Sequence, residues 1–116
     1  MDFDTNDIIS WNDFVKVDMR IGTIINVENL KNAKKPAYKM LIDFGELGIK
    51  KTSAQITKLY KPQDLIGRQI VAVVNFPKKQ ISNFMSECLV LGGLGNKKEV
   101  TIISPERRVK NGTKIA

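Results

Sequence analysis

Alternating apolar and polar residues dominate the chain and predict a protein built mainly from short strands. Apolar side chains or threonine occupy every second position from Val17 to Val27, as in a strand with one buried face, and only Ile24 breaks the alternation. Gly22, inside this run, is expected to mark a bulge or a bend. The alternation returns over residues 38–44. Further strands are predicted over residues 49–56, 69–76, 88–91 and 100–104.

A short helix is predicted ahead of the first strand. Ser10 followed three residues later by Asp13 is typical of a capped helix start, which places a helix over about residues 11–16. Its apolar residues, expected on one face, are Trp11, Phe14 and Val15. That face either packs against its own domain or binds a partner.

A second helical segment lies between the third and fourth predicted strands. Residues 56–65 predict a helical turn that is ended by Pro62 and Gly67. A small all-β chain with a helix at this place has the plan of a five-stranded OB-fold barrel. We therefore expect an N-terminal extension with the short helix over residues 1–16 and the barrel domain over residues 17–116.

The charge distribution indicates an anionic partner. The 116 residues carry a net charge of +7 at pH 7, yet residues 1–18 hold five aspartates and one lysine, which leaves 18 basic and 7 acidic residues in the remainder. A basic body of this kind attracts a polyanion such as RNA through its summed field. The acidic start and the short apolar runs predict neither a signal peptide nor membrane insertion, and the cysteine content suits the reducing cytoplasm.

Catalysis is disfavoured by the residues that are missing. The chain has no histidine and one cysteine, Cys88, which excludes Ser-His-Asp and Cys-His catalysis, imidazole-dependent zinc sites and an intramolecular disulfide. Cys88 is interpreted as a small apolar residue at the start of a strand. The glycine-rich run at 92–95 lacks the spacing of a phosphate-binding loop and is interpreted as a hairpin turn. We expect no enzymatic activity, no metal and no cofactor.

The residues that follow the fourth predicted strand form the best candidate for a binding site. Pro77 stops the strand, so Lys78 and Lys79 are expected at the rim of the barrel. Asn75 has the donor and the acceptor needed to read a base edge. Phe76 either stacks on a base or packs in the core. Together these residues favour a single-stranded or looped RNA as the ligand.

Five motifs in the same order resemble the tRNA-binding domain family, which includes the C-terminal domain of methionyl-tRNA synthetases. They are Asp18–Gly22 (D-x-R-x-G), Pro36–Met40 (P-A-x-K-L), Val74–Lys79 (V-N-L-x-P-[RK]), Ser86–Leu89 (S-x-x-M/L) and Asn111–Gly112 (the P-x-G turn). One branch of the family, the CsaA-type secretion chaperones, is similar over still longer stretches. These are residues 53–58 together with 60–62, and residues 72–77 and 89–93.

The resemblance implies an OB-fold and a homodimer that binds tRNA and, for the CsaA branch, unfolded or pre-export polypeptide. The residues that it places on the nucleic-acid face are Asn75, Lys78, Ser86 and Cys88, with Lys79 and Lys39 as contacts to the RNA backbone. Arg20 is a further candidate, with an ion pair to Asp18 as the alternative. Phe76 and Phe84 are the candidates for peptide contact. A dedicated peptide-binding export chaperone, with RNA binding incidental, is the alternative function.

Two further expectations concern the dimer and one hairpin. The candidate surfaces for a homodimer are the first strand, the N-terminal helix face and the residues after Pro105. Asn83 stands where many members of the family have glycine, so the hairpin after Ile81 is expected to differ from theirs.

Overall fold

Nine short strands make up most of the regular structure in the computed structural model, which describes residues 5–31, 34–81 and 84–116. The strands are β1 (Met19–Asn29), β2 (Tyr38–Asp43), β3 (Ile49–Ala54), β4 (Gln69–Val73), β5 (Lys79–Ile81), β6 (Phe84–Ser86), β7 (Leu89–Val90), β8 (Gly92–Leu94) and β9 (Val100–Ile102). The helices are α1 (Trp11–Val15) and α2 (Pro62–Leu65), with 3-10 turns at Thr5–Asp7 and Gly45–Leu47. Asn83, at which the hairpin after Ile81 was expected to differ from that of the family, lies outside the described residues.

Five antiparallel strands form a nearly closed barrel in the order β3-β2-β1-β4-β7, and this is an OB-fold, as predicted. Two short hairpins, β5–β6 and β8–β9, are attached to it. The side chains that fill the barrel come from the strands, from the residues beside them and from α2. They include Ile24, Val27, Met40, Ile42, Phe44, Leu65, Ile70 and Ala72.

The central strand β1 changes its pairing partner and its phase halfway along. Its first half pairs with β4 and its second half with β2, and the register to β2 slips between Ile24 and Asn26, which is a β-bulge. Because of the bulge, Ile24 is fully buried and Ile25 is 42% exposed. The predicted burial of Ile25 is therefore wrong, and the break that Ile24 makes in the alternation is the trace of the bulge.

Gly22 does not mark the bulge, because it pairs in register with Ile70. A Cβ atom at Gly22 would lie 2.7 Å from side-chain atoms of both Ile42 and Phe44. Glycine is required here because two core side chains pack directly against the backbone of β1.

The two predicted helices are present, with one correction. The Ser10 Oγ accepts a hydrogen bond from the Asp13 N–H (3.0 Å), and an Asp13 carboxylate oxygen accepts one from the Ser10 N–H (2.9 Å), so the predicted cap of α1 is confirmed. Pro62 begins α2 and does not end it, because the first helical position needs no backbone donor. Leu65 on α2 is fully buried, and Gly67, with φ +88°, follows the helix.

No helix in the described ranges is long and apolar enough to cross a membrane.

The glycine-rich run is a strand and not a turn. Residues 92–94 form β8, which pairs with β9, and the turn follows over residues 95–99. A Cβ atom at Gly92 would lie 2.5 Å from Val100 Cγ1 and 2.8 Å from the Thr101 carbonyl oxygen. Glycine therefore permits a close approach of the two strands, which its usual association with turns does not reveal.

The C-terminal strap, residues 109–115, runs along the outer edge of β1. The Ile21 N–H donates to the Thr113 carbonyl (2.9 Å), and the Ile115 N–H donates to the Met19 carbonyl (2.9 Å). The other edge of this part of β1 is paired with β4. The first half of β1 is thus hydrogen-bonded on both sides within the chain, so this half offers only its side chains to the predicted dimer interface.

Candidate functional site

A groove of about 1220 Å³ lies between the end of β3 and the segment that follows β4, and we name it the basic groove. Two lysines from the loop between β1 and β2 line one part of it, and two lysines from the segment after β4 line another. All of the charged residues in its described lining are therefore lysines: Lys34, Lys35, Lys78 and Lys79. The remaining lining is largely apolar or uncharged: Ala37, Ser53, Ala54, Gln55, Phe76, Pro77, Gln80, Ile81, Ser86, Cys88 and Leu89.

The sequence motif after β4 lines the groove, and its exposure decides between the two alternatives for Phe76. Lys78 and Lys79 are exposed, and Lys79 faces Ser86 across the β5–β6 hairpin. The ring of Phe76 is in the groove lining and 54% exposed, so core packing, the alternative for this residue, is wrong. Five of the predicted site residues come together here: Phe76, Lys78, Lys79, Ser86 and Cys88.

Sequence reasoning missed the contribution of the loop between β1 and β2. Lys34 and Lys35 stand directly before Pro36, and the fold brings them to the groove. The doublet itself was the available signal. Its distance from residues 76–79 along the chain concealed that both groups of cations share one surface.

Glu87, for which no binding role was predicted, joins the groove to the barrel wall. Its N–H donates to the Lys51 carbonyl (2.8 Å) and its carboxylate accepts from the Lys51 N–H (3.0 Å), so it holds β3 against the segment between β6 and β7. The other carboxylate oxygen lies 3.5 Å from Lys78 Nζ. The backbone hydrogen bond from Lys51, followed by the Lys78 ammonium, lowers the pKa of the Glu87 carboxyl below its ordinary value.

Two hydroxyl groups lie beside Cys88: that of Ser86, which lines the groove, and that of Thr52, which is buried behind it. The Thr52 hydroxyl donates to the Cys88 carbonyl (2.7 Å), and the Ser86 hydroxyl lies 3.1 Å from that of Thr52. Cys88 is only 6% exposed, and burial raises the pKa of its thiol to about 11. The groove therefore meets Cys88 as an uncharged, weakly polar surface, whereas half-buried Ser86 offers a polar group.

Asn75 and Arg20 are engaged within the chain. The Asn75 amide accepts from the Asp18 N–H (3.0 Å) and donates to the Lys16 carbonyl (2.6 Å), which ties the end of β4 to the start of β1. Arg20 Nε lies 2.7 Å from an Asp18 carboxylate oxygen, and its Nη1 donates to the Gly112 carbonyl (3.1 Å). The ion pair that was the alternative for Arg20 is therefore present, and neither side chain is in the groove lining.

Lys39 and Phe84 also lie outside that lining. Lys39 on β2 forms an ion pair with Glu28 on β1 (3.0 Å), and this contact lowers the pKa of the Glu28 carboxyl. The ring of Phe84 lies 5.5 Å from Lys51 Nζ, within range of a cation–π contact. Both residues thus have intramolecular partners that an RNA or peptide ligand has to compete with.

A second feature of the surface is apolar. Trp11 on α1 is 71% exposed, so the alternative in which the α1 face packs on its own domain is wrong. Trp11 belongs to a run of exposed apolar residues that we name the N-terminal apolar surface: Ile8, Ile9, Trp11, Val15 and Val17. An exposed apolar cluster of this kind marks an interaction surface.

Within the described ranges, no group of three or more His, Cys, Asp or Glu residues could hold a metal ion.

The barrel and its basic groove define an OB-fold binding module. The chain belongs to the tRNA-binding domain family, because the family model described as "Putative tRNA binding domain" matches residues 19–114. The methionine–tRNA ligase of Methanococcoides burtonii is 32% identical over 94% of this chain, and that of Thiobacillus denitrificans is 37% identical over 92%. The chain spans 16% of the length of each of these two relatives.

Two solved structures are similar over nearly their whole length. The chaperone CsaA of Bacillus anthracis is 52% identical and superposes with a TM-score of 0.90, covering 94% of this chain and 99% of its own. The CsaA chaperone protein of Picrophilus torridus is 50% identical with a TM-score of 0.88, over 94% and 100% of the two chains. The resemblance to both the tRNA-binding family and its CsaA branch is thus confirmed.

Proposed function

We propose that the chain binds tRNA in the basic groove. The observation that carries this proposal is the presence of four lysines in the lining of one groove, whose other lining residues are largely apolar or uncharged and include the exposed ring of Phe76. Lysines contact phosphates without regard to sequence, and an aromatic ring stacks on an unpaired base, which contributes about 1–3 kcal/mol. Membership of the tRNA-binding domain family supports tRNA as the RNA concerned.

Each groove residue has a proposed role. Lys78 and Lys79 bind backbone phosphates from one side, and Lys34 and Lys35 do so from the other. Phe76 stacks on a base. Ser86 contacts the same nucleotides through its hydroxyl group, and Cys88 contacts them through its uncharged side chain. The predicted contacts of Asn75, Lys39 and Arg20 stay predictions, since each requires the exchange of an intramolecular partner for RNA.

The test is tRNA binding over a salt series by Lys78→Gln/Lys79→Gln. Loss of two phosphate contacts makes the slope of log K against log salt shallower by about 1.5–2 and weakens binding about 10- to 100-fold near 0.1 M salt. The control is Lys97→Gln/Lys98→Gln, which removes the same charge from the turn between β8 and β9. Equal effects of the two variants would contradict the assignment of the groove.

We propose unfolded polypeptide as a second ligand of the groove. The largely apolar or uncharged lining of the groove and the exposed Phe76 suit extended apolar segments. The two similar CsaA structures, at about 50% identity, are those of chaperones. Phe76→Ala is expected to weaken protection of an unfolded client from aggregation, whereas Leu94→Ala, an exposed apolar residue outside the groove, leaves it unchanged. If the polypeptide does not displace tRNA, the two ligands use different surfaces. If no client is protected at stoichiometric amounts, the chaperone role is wrong.

We propose a homodimer in which the N-terminal apolar surface is covered. Trp11 is exposed to an extent that is unusual for a tryptophan in a monomer, and the run of exposed apolar residues around it continues from Ile8 to Val17. Sedimentation is expected to give about twice the 13.1 kDa chain mass, and Trp11→Ser to shift it towards the monomer. Leu94→Ser is the control, because it removes an equally exposed apolar side chain elsewhere.

The proposed role is binding without catalysis, in the cytoplasm where tRNA is found. The family match and the CsaA neighbours support a binding role, and the methionine–tRNA ligases are matched only over their tRNA-binding domain.

A further inference from the structure

Three of the four arginines of the chain lie together, far from the basic groove. Arg68 stands directly before β4, and Arg107 and Arg108 stand in the segment after β9. With Ser104, Pro105 and Glu106 they line a shallow cleft of about 330 Å³, which we name the arginine cleft. The fourth arginine, Arg20, is ion-paired with Asp18. The charged residues in the described lining of the basic groove, by contrast, are all lysines.

Neutral groups orient two of these guanidinium groups and leave their charge uncompensated. Arg108 donates from Nη1 to the Gly67 carbonyl (3.1 Å), and its Nη2 lies 3.5 Å from the Thr23 hydroxyl. Arg68 lies over the ring of Tyr60, 5.4 Å from its centre. Among the described residues, neither arginine has a carboxylate within salt-bridge distance. The acid of the cleft, Glu106, pairs with Arg107 (3.0 Å). Because both side chains are largely exposed, this ion pair contributes little free energy and is readily exchanged for another partner of Arg107.

A buried side chain fixes the segment that carries Arg107 and Arg108. Gln69, which is 5% exposed, donates to the Val109 carbonyl (2.7 Å) and accepts from the Val109 N–H (3.0 Å). The same amide donates to Asn111 Oδ1 (3.0 Å). The arginine-bearing segment is therefore anchored to β4 before any ligand arrives, which lowers the entropy cost of binding.

The chemistry of the cleft suits phosphate oxygens. Guanidinium groups are planar and present paired donors that match a phosphate, and they are less strongly hydrated than ammonium groups. The cleft lies at the start of β4 and the groove at its end. At about 3.3 Å per residue, the chain from Arg68 to Phe76 covers up to about 26 Å, which is a distance that a folded RNA can bridge.

We propose that the arginine cleft is a second binding site for the phosphate backbone of the tRNA that occupies the basic groove. This inference rests on the proposed function and adds to it a second point of contact at the opposite end of β4. Two linked contacts on one rigid ligand raise its affinity well above that of either alone. The groove then contacts unpaired bases, and the cleft contacts backbone at a distant point of the same molecule.

The first test is tRNA binding over a salt series by Arg68→Gln/Arg107→Gln, which leaves Arg108 and its backbone contact intact. We expect affinity to fall about 10- to 100-fold near 0.1 M salt, with a slope that is shallower by about 1.5–2. Lys97→Gln/Lys98→Gln again removes the same charge elsewhere. An effect no larger than that of this control overturns the proposal.

The second test is footprinting with phenylglyoxal, which modifies arginine and leaves the lysines of the groove untouched. Bound tRNA is expected to protect Arg68, Arg107 and Arg108 from modification, as read by mass spectrometry of the peptides, and to leave the reactivity of Arg20 unchanged. Equal reactivity of the three cleft arginines with and without tRNA overturns the proposal.

The two sites fail in different ways. Loss of tRNA affinity in the Lys78→Gln/Lys79→Gln variant alone overturns the cleft and supports the groove. Loss in the Arg68→Gln/Arg107→Gln variant alone, with protection of the arginines, supports the cleft and overturns the groove. If the cleft variant binds tRNA normally but loses affinity for poly-L-glutamate, the cleft takes an acidic polypeptide and the proposal is wrong.

Discussion

The basic groove and the seam between the C-terminal strap and the barrel use the same kinds of polar residue in opposite ways. In the seam, Arg20 is paired with Asp18, and Gln69 exchanges two hydrogen bonds with Val109. In the groove, Lys79 makes no ion pair within the described residues, and Lys78 has one long contact, 3.5 Å, to Glu87. The polar side chains of the seam have their hydrogen-bond partners within the chain, whereas the lysine ammonium groups of the groove remain available to a ligand.

This difference separates binding residues from structural ones better than residue type does. Asn75 and Arg20 belong to motifs shared with the tRNA-binding family, yet both satisfy their hydrogen-bonding groups inside the chain. A polar group that is already satisfied gains little from a ligand, because binding exchanges one partner for another. Lys34 and Lys35, in contrast, do not belong to the binding motif after β4, yet both are exposed and line the groove.

The largest expected effect concerns Cys88, which belongs to the groove lining but is almost completely buried. A pKa raised from 9.0 to about 11 lowers the thiolate fraction at pH 8 about 100-fold. Iodoacetamide at pH 8 should therefore label native Cys88 at least about 100-fold more slowly than the urea-unfolded chain. In a Cys88→Ala background, Leu89→Cys provides an exposed thiol in the same strand region, and it is expected to react at an ordinary rate. Equal rates at the two positions would show that Cys88 is open.

Breaking the seam at Gln69 should cost the most stability. Gln69→Leu leaves the N–H and carbonyl of half-buried Val109 without their partners, which costs about 1–3 kcal/mol of the free energy of unfolding. Urea denaturation measures this loss. Gln63→Leu, at an exposed position of α2, is the matched control and is expected to change stability by less than about 0.5 kcal/mol. Similar losses for the two variants would contradict the role of Gln69.

A substitution of Arg20 distinguishes a structural role of this residue from a role in tRNA binding. Arg20→Gln removes the partner of half-buried Asp18 and one donor to Gly112, so we expect a loss of about 1–2 kcal/mol in the free energy of unfolding. Affinity for tRNA should match that of Lys114→Gln, which removes one charge from an exposed position of the strap. A fall in tRNA affinity without a loss of stability would instead place Arg20 on the nucleic-acid face.

Glu87 gives the smallest effect, and its sign follows from its lowered pKa. Because the folded pKa lies below the ordinary value of 4.5, the carboxylate stabilises the fold above about pH 4.5, and this contribution is lost as pH falls through the folded pKa. Glu87→Gln keeps an acceptor for the Lys51 N–H, so the loss at pH 7 should stay below about 1 kcal/mol and shrink on acidification. Glu46→Gln, at an exposed position, is the control for removing a charge. A loss that grows as the pH falls would contradict this account.

The local pattern of the chain determined the elements of the fold. Alternation predicted β1 and β2 close to their observed ranges, because a strand with one buried face alternates apolar and polar residues. The apolar run that begins at Ile70 predicted β4, whose residues are all buried. The spacing of Ser10 and Asp13 predicted the start of α1, because the capping box involves only neighbouring residues. The proline and lysines after β4 likewise predicted an exposed rim, which is where Lys78 and Lys79 lie.

The tertiary structure decided which polar residues stay open, since their partners come from distant parts of the chain. The amide of Asn75 is satisfied by residues 16 and 18, and Arg20 reaches Gly112, some ninety positions away. The bulge in β1 reversed the burial of Ile25, because the register between β1 and β2 slips between Ile24 and Asn26. The arginine cleft joins residue 68 to residues 107 and 108 by the same kind of long-range pairing. Hydrogen bonding between residues that are distant in the sequence is a property of three-dimensional neighbours, and no local pattern carries it.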